Sequence, residues 1–201
     1  MEASASSAPT LFESADEWFA RAHALLRNAL PCRQGCCRCC IGPFPITQLD
    51  VIELRRGLSL LPQEQRAAIQ AKATQQVAEM EAAYPALRKS PNHDQWDDAA
   101  LDALVTCFAD MPCPALEPDG SCGMYAFRPI TCRMMGIPTE SDGLVQGACS
   151  VQTAIPIIRL PNALREEEDR LAEREAAALT VLEQMRPGLG EEVLLPYGFR
   201  P

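Results

Sequence analysis

Five of the ten cysteines in this 201-residue chain fall between Cys32 and Cys40, in the order C-x-x-x-C-C-x-C-C. Cys36 with Cys39, and Cys37 with Cys40, form overlapping C-x-x-C pairs, the spacing at which two thiolates reach one metal ion or one cluster edge. A helical turn or two over 31–41 would place Cys32, Cys36, Cys39 and Cys40 within an arc of about 100 degrees and leave Cys37 to the side. A loop making the same C-x-x-C contacts would gather the ligands equally well.

A second group reads Cys113, Cys122, Cys132 and Cys149, with Cys107 upstream. These gaps are too long for one turn, so the fold must make the thiols converge. Asp119 and Gly120 supply turn chemistry between Cys113 and Cys122, and Pro129 opens a short helix to Met135 that presents Cys132. Arg33 and Arg38 flank the first group, Arg128 and Arg133 the second, and no acid lies between Cys122 and Cys132. Cations so placed lower thiol pKa and offset the two negative units that four thiolates leave around one zinc ion. An all-sulfur donor set selects zinc, an iron–sulfur cluster or copper(I) over magnesium or calcium. His23 and His93 show no ligand spacing with the cysteines.

Helices must carry these segments. Ser14 and Glu17 form a capping-box pattern opening a helix that runs to Pro31, which leaves 1–13 as a loose arm. Thr47 and Asp50 repeat the pattern, and a third helix runs from Pro62 to Tyr84. Residues 88–98 read as a loop leading into a short helix through Leu101, Leu104 and Val105. Asn162 reads as the cap of a final helix, 163–186, whose charges form a solvated face and which stops at Pro187 and Gly188. The expectation is one mostly α domain, 1–201, with helices packed around an irregular cysteine-rich metal-binding core at 32–149 and a C-terminal helix at 162–186.

Composition narrows the function classes. A net charge of −9 and a pI near 4.8 argue against nucleic acid as a partner, since that contact needs clustered Lys and Arg. No window reaches the roughly 18 apolar residues of a membrane span, and the acidic, small-residue start is no signal peptide, so the expected location is the cytoplasm and no membrane contact is expected. In a reducing compartment ten cysteines point to metal ligation or redox chemistry more than to disulfides. No G-x-G-x-x-G, P-loop or H-E-x-x-H motif is present, which leaves catalytic residues unassigned and makes an enzyme role dependent on a protein partner or an unrecognised site.

The later block, MPCPALEPDGSCGMYAFRPITCR, resembles the YkgJ-type cysteine-cluster family of zinc- or iron-chelating CxxCxxCC domains across Cys113, Pro114, Gly120, Cys122, Tyr125, Arg128, Pro129, Cys132 and Arg133. The resemblance covers about 32–149. It implies eight metal ligands, Cys32, Cys36, Cys39, Cys40, Cys113, Cys122, Cys132 and Cys149, with Cys37 and Cys107 as extras. Cys37 replaces the family's usual glycine and the first spacing is one residue longer. Arg128 and Arg133 are implied as charge compensation around the ligands, and Tyr125 as a wall beside them. The cofactor expected is an iron–sulfur cluster or zinc in a structural or redox role. Some relatives are labelled iron–sulfur oxidoreductases or flagellin lysine methylases, so an enzyme acting on an unknown substrate is the alternative, and a thiol switch or metal buffer is a third.

Overall fold

Helix α1, Leu11–Leu26, buries Ala15, Trp18, Ala22 and Leu26 as one stripe, the spacing of a helix with a single apolar face. The computed structural model describes residues 8–26, 36–94, 96–141, 144–146 and 159–201. The expected end of this helix at Pro31 lies outside the described residues. Its start is earlier than Ser14. The Thr10 backbone N–H donates to Glu13 Oε2 at 2.8 Å, and the Glu13 N–H donates to Thr10 Oγ1 at 3.2 Å. Both T-x-x-E and S-x-x-E fit a capping box, and the upstream one wins because it also lays Leu11 and Phe12 against the core. Ser14 instead accepts from Arg174 Nη1 at 2.9 Å.

Helix α2, Gln48–Leu60, begins with the box read from Thr47 and Asp50. Helix α3, Gln63–Ala83, follows after Pro62, and the four-residue helix α4, Ala86–Lys89, was not anticipated. Helix α5 spans Asp98–Cys107, with the Asp97 side chain accepting from the Ala100 N–H at 2.7 Å. Helix α6, Ile130–Met134, is one turn long. Helix α7, Asn162–Met185, starts on Asn162 itself. Pro161 occupies the cap position and no side-chain cap bond forms, so Asn162 is the first helical residue and not the cap. Helix α8, Leu195–Gly198, is short and buried.

Among the described residues, four three-residue strands accompany the helices. Strand β1, Pro45–Thr47, pairs antiparallel with β4, Glu192–Leu194, Ile46 opposite Val193. Strands β2, Thr139–Ser141, and β3, Leu144–Gln146, form a hairpin.

The helices pack around two apolar cores. One gathers Ile46, Leu54, Met80, Leu104, Leu194 and Phe199; the other gathers Trp18, Ala22, Ile130, Leu160, Leu164 and Leu171. Trp18 Nε1 donates to the Leu164 carbonyl at 2.8 Å, which satisfies the buried indole while its ring fills the second core. The expected mostly helical fold is observed, while a cysteine-rich centre is not shown among the described residues. Burial of aliphatic and aromatic side chains organises the helices, and Cys113 and Cys122 lie at the edge of the first core.

Candidate metal centre

The first cysteine segment does not form the expected helix over its described part. Cys36 and Cys37 are non-helical, and Arg38–Cys40 makes a single 3-10 turn closed by the Cys40 N–H donating to the Cys37 carbonyl at 2.9 Å. Gly35, which disfavours a helix, lies just upstream, and Gly42 adopts φ +90°, a conformation that L side chains rarely take. That turn lets the Gly42 N–H donate to the Met111 carbonyl at 2.7 Å, while the Cys113 N–H donates to the Cys40 carbonyl at 2.7 Å. Ile41 and Pro112 bridge antiparallel between them. Two segments some seventy residues apart are therefore sewn together backbone to backbone at their cysteines.

The second segment folds back as its turn residues predict. The Glu117 N–H donates to the Ser121 carbonyl at 2.9 Å, Gly120 has φ +83°, and the Asp119 carboxylate accepts from the Ser121 N–H at 2.9 Å. Leu116 bridges to Cys122, which returns Cys122 beside Cys113. Beyond it, Met124 enters the first core and Ile130 the second, so the stretch carrying Cys122 and Cys132 spans both.

Asp50 fixes where α6 begins. Its carboxylate, 1% exposed, accepts from the Thr47 N–H at 3.0 Å through one oxygen and from the Ile130 N–H at 2.8 Å through the other. One side chain thereby caps α2 and α6 together, two residues from Cys132. The capping pattern was readable in sequence; the second contact, across eighty positions, was not.

All eight described cysteines are free thiols. Five of them interact: the charge of Cys39 raises Cys40, Cys113, Cys122 and Cys132, and the charges of Cys113 and Cys122 raise Cys40 and Cys132. The Cys40 thiol donates to the Cys39 sulfur, which pulls Cys39 down to about 6 and pushes Cys40 up. Burial raises Cys113 to about 12 and raises Cys122 and Cys132, with neighbouring thiolates adding to the rise at each. Thiols packed this way ionise together only with a cation among them. Among the described residues, no three Cys, His, Asp or Glu side chains already close around a point that an ion would occupy. The donor chemistry, sulfur without carboxylate or imidazole, fits zinc or iron. Cys32, Cys149 and Arg33 lie outside the described residues.

The flanking cations divide. Arg128 lies 3.7 Å over the centre of the Tyr125 ring and 3.8 Å from Asp16, and its charge helps to lower Cys39 and opposes the rise of Cys122 and Cys132. Arg133 is buried and is turned to carboxylates: it pairs with Asp16 of α1 and lies 3.9 Å from Glu53 of α2. It also donates to the carbonyls of Ala126 and Arg128 at 2.8 Å. Its place is that of a clamp between α1, α2 and α6. Tyr125, 63% exposed, is a ledge under Arg128 more than an enclosing wall. Asp16 carried no sequence signal, because it looks like any acid on an exposed helix face.

Cys36 is exposed, Cys37 half-buried, and Cys107 exposed at the end of α5. His23 stacks on Phe19, and His93 is buried beside β4.

A mostly helical chain whose two thiol-bearing segments are joined at the backbone is the setting in which the family comparison falls. The chain belongs to the CxxCxxCC family, described as a "putative zinc- or iron-chelating domain", whose model matches residues 31–150. No curated protein and no solved structure matches the chain.

Proposed function

We propose that this chain is a cytoplasmic metal-binding protein in which the thiolates of Cys36, Cys39, Cys40, Cys113, Cys122 and Cys132, together with Cys32 and Cys149, hold zinc or an iron–sulfur cluster. The observation carrying this reading is the hydrogen bond from the Cys113 N–H to the Cys40 carbonyl, 2.7 Å, which sets a cysteine of each segment side by side. The charges of Cys39, Cys113 and Cys122 on their neighbouring thiols support it, because a bound cation removes the repulsion that burial otherwise amplifies. Arg128 offsets part of the residual negative charge, and Tyr125 holds the guanidinium in place.

Zinc would make the centre structural, since ligation free energy in such sites is folding free energy. An iron–sulfur cluster would make it redox-active. Metal analysis and a visible spectrum after anaerobic purification test the proposal. Zinc without a visible band, or iron and sulfide with a broad band near roughly 400 nm, agrees with it. Protein that carries neither metal overturns it.

A further inference from the structure

A cavity of about 590 Å³ opens between α3 and the 106–116 segment, within the range that holds small ligands. Cys113 lines it, so the cavity and the thiol group share a wall. On the α3 side, Lys72, Gln76 and Glu79 all line it, at positions i, i+4 and i+7 of one helix face. Lys72 and Glu79 are exposed; Gln76 is 9% exposed.

Gln76 is the unusual member. Its Nε2 donates to the Pro112 carbonyl at 2.7 Å, while its Oε1 is buried and accepts nothing among the described residues. An acceptor in that condition costs stability until a donor reaches it. The face therefore presents, in order, an ammonium 3.4 Å from the Leu116 carbonyl, an unmet carbonyl, and a carboxylate that accepts from Gln75 Nε2 at 2.9 Å. Lys72 and Glu79 are about 10 Å apart along the helix axis, seven residues at the helical rise. An α-amino acid holds its charges much closer together than that. Three extended residues span about 10 Å.

We propose that this cavity binds a short peptide of about three residues through its two ends and its backbone. The peptide's carboxylate meets Lys72, its ammonium meets Glu79, and a backbone N–H between them donates to Gln76 Oε1. Side-chain identity is left to the Thr106 and Met111 side of the cavity. The inference does not depend on a metal being bound.

Triglycine titrated calorimetrically into the protein as purified is the test, with metal content counted separately. Saturable binding is expected, weakened about tenfold by Lys72→Met and by Glu79→Gln, and abolished when both peptide ends are blocked by acetyl and amide groups. Both side chains are exposed, and circular dichroism checks that the variants keep the fold. Absence of saturable binding overturns the proposal, as does equal affinity for the blocked peptide and in both variants. Peptide binding by protein free of metal would leave this inference standing and count against the metal centre alone.

Discussion

His93 is 4% exposed, and its Nε2 has no hydrogen-bond partner among the described residues. Burial lowers its pKa below the ordinary 6.5. A depressed imidazole pKa means that the unfolded chain takes up the proton first, so the stability His93 allows above pH 6.5 is lost as the pH falls through its folded value. Glu175 and Glu192, raised by burial, work in the opposite sense at lower pH, so the comparison must isolate the one residue. Denaturant unfolding of wild type and His93→Leu provides it. The stability of wild type relative to the variant should drop between pH 7 and pH 5, by no more than about 1.4 kcal/mol per pH unit. A constant difference would remove the imidazole from the account of acid sensitivity.

Among the elements, the contact between α2 and the Tyr125–Phe127 turn holds the Arg128 region in place. Gly57 makes that contact possible: a Cβ there would lie 2.3 Å from Phe127 Cγ. Gly57→Ala should therefore destabilise by about 1–3 kcal/mol, although Ala ordinarily favours a helix interior over Gly. Thermal unfolding measures this, and an unchanged or raised midpoint would mean that Phe127 moves aside freely. Sequence conveyed much at this scale. The Thr47–Asp50 box, the Asp119–Gly120 turn and the Pro129 start of α6 follow from local chemistry that tertiary contacts leave intact. Ser14 failed because two overlapping boxes compete and the outcome depends on Leu11 and Phe12 finding a core. Three-residue strands escaped notice because a two-residue period cannot show itself over so few positions, and β1 finds its partner nearly 150 residues away. The cysteines were legible as two groups in the sequence, but the backbone hydrogen bond that joins Cys40 to Cys113 was not. That Arg128 faces the thiols while Arg133 clamps helices was not, since both arginines flank cysteines alike in sequence.

At the level of the whole molecule, the stretch from Met124 to Ile130 enters both apolar cores seen among the described residues, and it is bounded by Cys122 and Cys132. Asp50 and Arg133 fasten it to α1 and α2. The protein scaffold therefore delivers the thiols of the second segment to those of the first, where the Cys40 and Cys113 backbones meet. The measurement that bears most directly on this is bound metal per chain in Cys39→Ser and Cys122→Ser, one variant from each segment, counted by native mass spectrometry beside wild type. Sulfur from both segments around shared metal predicts that both variants lose it. Full retention in either one, or wild type without metal, would contradict the account.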